Sequence, residues 1–132
     1  MYLDASATAK LLLEEPAKAE LEAFLANEPK RVSSLLMKAE VLRAVRRDPR
    51  ASVSEAEIQR VFDDITFLRL DESLVDRAGR LDPPILRSLD AIHLASALLL
   101  QDELDALVTY DRRLAQAAAQ LGIRVFPEPS EN

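Results

Sequence analysis

Apolar and polar positions alternate along this chain with a period that changes repeatedly, and each change marks an element. Met1-Tyr2-Leu3 is a short apolar run closed by Asp4, which predicts a buried strand. Ser6 then reads as the N-cap of a helix over 7–13, and Pro16 ends that helix and opens the next. Leu21, Phe24 and Leu25 supply the i, i+3, i+4 face of the second helix, and 31–34 predicts a second short strand. Ser34 or its neighbour caps a helix through Arg47, with Leu36, Val41 and Leu42 marking its apolar side and Pro49 just beyond its end. Ser54-Glu55-Ala56-Glu57 has the form of a capping box, predicting a helix over 55–65.

In the second half, Thr66 to Leu70 is β-branched and aromatic, as a strand requires, and Asp71 caps a helix reaching Leu81. After the turn at Pro83-Pro84, the stretch from Arg87 to Ala97 opens a helix apolar almost all round, so burial on every side is expected, with Leu98-Leu99-Leu100 continuing the core. Ala106 to Thr109 predicts a fourth strand, and Asp111 to Leu121 a helix stopped by Gly122. Ile123 to Phe126 predicts a fifth strand. Residues 1–126 are thus expected to form a single domain, with 127–132 as a loose tail.

Strands alternating with helices call for an α/β fold of three layers, a central parallel sheet of about five strands flanked by helices. Crossovers between such strands are right-handed, and ligands bind outside the strands' carboxyl ends. Asp4 closes the first strand and Asp111 follows the fourth, so both are expected at that edge. Glu40 and Asp90 lie early in helices that enter from the same edge. Four carboxylates so placed would repel: one pair at ~4 Å costs on the order of 4 kcal/mol at an effective dielectric of ~20. Such a cluster persists only when protonated or when it holds a cation, and a hard divalent ion such as Mg²⁺ or Mn²⁺ suits all-oxygen ligands. Each acid alone reads more readily as a helix cap or a solvated surface residue, and among 23 acidic residues four near strand ends can arise without converging.

Composition narrows the function classes. The chain is 48% hydrophobic and 30% charged, a globular balance rather than a disordered one. Its longest apolar run is too short to cross a bilayer, and Asp4 stands where a signal peptide would be basic. With no cysteine there is no disulfide framework or thiolate metal site, so a cytoplasmic protein with no membrane partner is expected. A net charge of −6 argues against a general nucleic-acid coat, though not against a few arginines placed around a cleft.

Four segments taken together carry a resemblance: Tyr2-Leu3-Asp4-Ala5-Ser6, Ala39-Glu40-Val41, Leu89-Asp90-Ala91-Ile92-His93-Leu94-Ala95 and Val108-Thr109-Tyr110-Asp111-Arg112-Arg113-Leu114. In order and spacing they resemble PIN-domain ribonucleases, in particular the VapC-type toxins of bacterial toxin–antitoxin pairs. The resemblance implies that Asp4, Glu40, Asp90 and Asp111 form an acidic Mg²⁺ or Mn²⁺ site, with the hydroxyls of Ser6 and Thr109 beside it. It implies hydrolysis of RNA phosphodiester bonds, the ion activating water and neutralising charge on the phosphoryl oxygens. Glu40 would either ligate the ion or orient the water. Leu114 departs from the pattern, because many relatives carry a further acid there, and this favours one bound ion over two. A cognate antitoxin and a second copy of the chain are the implied partners, docking on the apolar faces of the helices before Pro49.

Bidentate guanidinium groups suit RNA phosphates, which makes Arg87, one turn before Asp90, a candidate contact, together with Arg43 and Arg112. His93 invites a general-base role, but at i+3 from Asp90 inside an apolar helix it reads as a packed, hydrogen-bonded histidine. Rival readings are weaker. A haloacid-dehalogenase-type phosphotransferase needs an aspartate where Ser6 stands and a downstream lysine, and no lysine follows Lys38. A response-regulator receiver lacks the same lysine. A non-catalytic PIN-like module binding RNA or protein is the remaining alternative.

Overall fold

The computed structural model describes residues 1–28 and 30–129. Strands β1 (Tyr2–Leu3), β2 (Arg31–Ser34), β3 (Ile65–Leu68), β4 (Leu107–Val108) and β5 (Val125–Phe126) lie in the order β3-β2-β1-β4-β5, and every neighbouring pair is parallel. Helices α1 (Ala5–Leu12), α2 (Lys18–Ala26), α3 (Leu36–Arg47), α4 (Glu55–Asp63), α5 (Glu72–Gly79), α6 (Ser88–Leu98) and α7 (Arg112–Gln120) complete the α/β architecture. A 3₁₀ turn over Gln101–Glu103, without a signal in the sequence, carries the chain from α6 to β4.

The central strand explains the layering. Successive strand side chains point to opposite faces. Tyr2 therefore joins Leu94, Leu107 and Leu114 in the core under α6 and α7, while Leu3 joins Ala7, Leu21 and Leu25 under α1 and α2. A third cluster, around Met37, Val41, Ile58 and Phe62, packs α3 and α4 against the β3 side of the sheet.

Helix starts follow the caps with one correction. Asp4, not Ser6, caps α1: its Oδ1 accepts the Ala7 amide at 2.9 Å, so the helix begins at Ala5. A carboxylate at this place accepts the amide and also complements the positive helix end, which a hydroxyl does not. Ser34 Oγ accepts the Leu36 amide at 3.2 Å at the start of α3. Ser54 and Asp71 cap α4 and α5 through the amides of Glu57 and Leu74, at 3.1 and 2.8 Å. α4 stops at Asp63 because Ile65 already pairs with Arg31 to begin β3. Gly122 ends the turn after α7 with φ at +80°, a conformation that suits glycine.

Two expected apolar faces are rotated from where the pattern put them. On α3 the buried side chains are Met37 and Val41, one turn apart, while Leu42 is exposed about 100° round the helix. α6 is not buried on all sides: Ala91, Leu94, Ala95 and Ala97 are covered by α5, α7 and the sheet, but Leu89, Leu98 and Leu99 are exposed. Small residues let the neighbours approach closely on one side and leave the leucines over. Of the tail expected from Pro127 onward, Pro127 and Pro129 are half-buried beside α7, and 130–132 lies outside the described residues. Among the described residues, no helix is long and apolar enough to cross a membrane.

Candidate active site

β1 and β4 end side by side, with Leu3 paired to Val108, so Asp4 and Thr109 leave the sheet together at its carboxyl edge. Thr109 Oγ1 donates to Asp4 Oδ2 at 2.5 Å and accepts the Asp111 amide at 3.0 Å. Ser6 Oγ donates to Asp4 Oδ1 at 2.7 Å and accepts the Tyr110 amide at 2.8 Å. Two hydroxyls thus lock the Asp4 carboxylate to the loop that carries Asp111. Asp4 is only 3% exposed, and burial raises its pKa, partly offset by Thr109, the Ala7 amide, His93 and Ser6.

Asp111 and Asp90 come from the starts of neighbouring helices, Asp111 as the N-cap of α7 and Asp90 in the first turn of α6. Asp111 caps α7, its Oδ1 accepting the amides of Arg113 and Leu114 at 2.9 and 3.3 Å. Its other oxygen, Oδ2, accepts from Arg87 Nη2 at 3.0 Å, while Arg87 Nε donates to Asp90 Oδ2 at 3.2 Å. One guanidinium therefore spans the two acids. The pKa of Asp90 is raised by burial and then by the charge of Asp111, with Arg87 acting in the opposite direction.

Glu40 enters through an intermediary. His93 Nε2 lies 2.5 Å from Glu40 Oε1, and His93 Nδ1 lies 2.7 Å from Tyr2 Oη. The Ser34 amide donates to Tyr2 Oη at 3.1 Å, so the hydroxyl joins the end of β2 to His93 on α6. A carboxylate oxygen only accepts, so the hydrogen between His93 and Glu40 is donated by Nε2. His93 is fully enclosed and bonded on both nitrogens, as a packed histidine should be.

Of the residues singled out from sequence, Asp4, Ser6, Thr109, Asp111, Arg87 and Asp90 form one hydrogen-bonded network, and Glu40 is held beside it by His93. Arg43 and Arg112 are exposed and, among the described residues, make no ion pair or side-chain hydrogen bond. Leu114 is wholly buried in the core beneath α7. Tyr2 was not singled out as part of the site. The signal for it was present, since a tyrosine in a buried strand needs a partner for its hydroxyl.

The fit of a divalent ion can be judged from these groups. The donors at the edge are carboxylate oxygens, which suit Mg²⁺ or Mn²⁺, and a cation already stands between two of them. Among the described residues, no three His, Asp or Glu side chains are gathered closely enough to hold an ion. The residues fit the ion in chemistry, and the guanidinium occupies the position between the acids. A cavity of about 200 Å³ opens beside Asp111, lined by Tyr110, Arg112, Gln116 and Pro127.

The family model described as PIN domain matches residues 1–120. Ribonuclease VapC46 of Mycobacterium tuberculosis is 44% identical over 126 residues, covering 96% of this chain and 95% of that protein. Ribonuclease VapC47 of the same species is 36% identical, with 92% of each chain covered. The crystal structure of Mycobacterium tuberculosis VapC20, described as a sarcin-ricin loop cleaving toxin, superposes with a TM-score of 0.67 over 88% of this chain and 93% of that one, at 15% identity. At that identity the likeness is one of fold. By its sequence match over nearly the whole length and by the five-stranded parallel sheet that carries its acids on one edge, the chain belongs to the PIN-domain family, among the VapC-type members.

Proposed function

We propose that this chain is a divalent-metal-dependent endoribonuclease and the toxin of a toxin–antitoxin pair. The single observation that carries the reading is the meeting of Asp90 and Asp111 across one cation, beside the buried Asp4, at the carboxyl edge of the sheet. Asp4, Asp90 and Asp111 would hold Mg²⁺ or Mn²⁺. The ion, when bound, supplies water activation and charge neutralisation at the phosphoryl oxygens. Ser6 and Thr109 fix the Asp4 carboxylate in one orientation, so its oxygens are presented without reorganisation. His93 holds Glu40 by one oxygen, which leaves the other free to orient a water or reach the ion. The buried Leu114 removes the further acid of many relatives and supports a single ion.

RNA would lie along the edge from Arg87 towards the cavity beside Asp111, with Arg112 and, on α3, Arg43 as phosphate contacts. A larger cavity of about 420 Å³ between α1, α2 and α4, lined by Leu11, Leu12, Leu25, Arg31 and Val61, supports docking of an antitoxin segment on the early helices. The exposed Leu35 and Leu42 at α3 support contact with a second copy.

The test is cleavage of defined RNAs in Mg²⁺, Mn²⁺ or EDTA, with growth of an expressing culture as the cellular arm. The wild type is expected to cut in metal and arrest growth, and Asp4→Asn to lose more than ~100-fold of the rate while remaining folded. Cleavage that survives both EDTA and Asp4→Asn would sink the mechanism. Binding of RNA without cleavage under every condition would instead identify a non-catalytic binding module.

A further inference from the structure

Arg87 stands where helix electrostatics alone would not put a cation. It occupies the N-cap position of α6 without capping it, and its guanidinium reaches the N-terminus of α7. Both helix ends carry partial positive charge, which disfavours a cation. Its side chain is 65% exposed, so packing does not hold it there either. What holds it is the pair of carboxylates: it bonds Oδ2 of Asp90 and Oδ2 of Asp111 at once. The interaction also runs from acid to acid, because the charge of Asp111 is felt at Asp90 and a single bridging cation relieves both.

These are the same oxygens that an ion between Asp90 and Asp111 would need. A guanidinium and a divalent ion compete for them, since both are drawn by the same negative charge and the two cations repel at such close range. We propose that Arg87 is an internal counter-cation: it holds Asp90 and Asp111 together in the ion-free protein and is displaced from their Oδ2 atoms when the divalent ion binds. The displaced side chain stays tethered one turn from Asp90, free for a substrate phosphate. This inference rests on the proposed metal site and adds a built-in competitor to it, so that ion affinity is set partly by the chain's own arginine.

The experiment is a calorimetric titration with Mn²⁺ of the wild type, Arg87→Gln and Arg87→Lys, paired with thermal melts of each in EDTA and in Mn²⁺. Arg87→Gln is expected to tighten Mn²⁺ binding by ~3–10-fold, the scale of an exposed pair of ionic contacts. The same variant should melt lower than wild type in EDTA, with the gap closing in saturating Mn²⁺. Arg87→Lys, which keeps the charge but not the fork, should fall between the two. Unchanged or weakened Mn²⁺ affinity in Arg87→Gln would overturn the inference while leaving the metal site in place. Mn²⁺ binding to none of the three proteins would overturn the proposed function and this inference with it.

Discussion

At the scale of the residue, Asp90 is a carboxylate that the fold makes costly to ionise. Burial and the neighbouring Asp111 both raise its pKa, and Arg87 only partly offsets them. A native pKa above the unfolded value means that folding favours the protonated acid. That stabilisation is fully present below the unfolded carboxylate range near ~4 and is lost as pH rises through the higher native pKa. Asp4, raised by its burial, acts in the same direction. In EDTA at neutral pH, Asp90→Asn is therefore expected to be more stable than wild type by about 1 kcal/mol after screening. The difference should shrink as pH falls through the native pKa of Asp90, because the wild-type acid then becomes neutral as well. Urea titrations of the two proteins across that pH range measure it, and a variant less stable than wild type at neutral pH would contradict the raised pKa.

At the scale of the element, Tyr2 and His93 tie four pieces of secondary structure together. Tyr2 lies on β1, receives the amide of Ser34 at the end of β2, and meets His93 on α6, which in turn holds Glu40 on α3. The arrangement fixes how far α3 and α6 stand from the sheet, and with that the position of Glu40. Tyr2→Phe keeps the ring's packing but leaves the Ser34 amide and His93 Nδ1 without their partner in a buried place. The expected loss is about 1–3 kcal/mol, read as a lower urea midpoint at an unchanged slope. An unchanged midpoint would mean that water or a rotated His93 replaces the hydroxyl. The caps at Ser54 and Asp71 were legible at this scale from sequence, because capping is local chemistry. The cap of α1 was misjudged because Asp4 and Ser6 both offer oxygens, and only the strand end decides which of them faces the amides.

At the scale of the whole molecule, the acids are brought together by topology. β1 lies between β2 and β4, so segments more than 100 residues apart meet at one edge, as the Thr109–Asp4 bond shows. An ion bound at the proposed site would couple to the stability of the entire fold through mass action, RT ln(1 + [L]/Kd). Millimolar Mg²⁺ is expected to raise the melting temperature of the wild type and to shift Asp90→Asn much less. At a concentration ~10-fold above Kd the gain is about 1.4 kcal/mol, which corresponds to a few degrees for a chain of this size. Equal shifts in both proteins would point to ion binding elsewhere on a chain of net charge −6.

The sequence by itself determined the alternation of strands and helices, most helix starts, and the set of acids to be watched. All of these depend on neighbours along the chain: side-chain period, capping oxygens and the residue that follows a strand. The four-segment pattern also pointed to the family that the comparisons then showed. Only the tertiary structure decided which leucines of α6 face solvent, because that depends on where α5, α7 and the sheet stand around the helix. Only the tertiary structure revealed that Arg87 bridges Asp90 and Asp111, and that Glu40 is turned to His93. Arg87 and Asp90 are one turn apart, but the Arg87–Asp111 and Glu40–His93 pairings join residues distant in sequence, and their geometry is set by sheet order and helix packing rather than by any local period. Charge pairing across a cleft leaves no trace in the spacing of residues along one element.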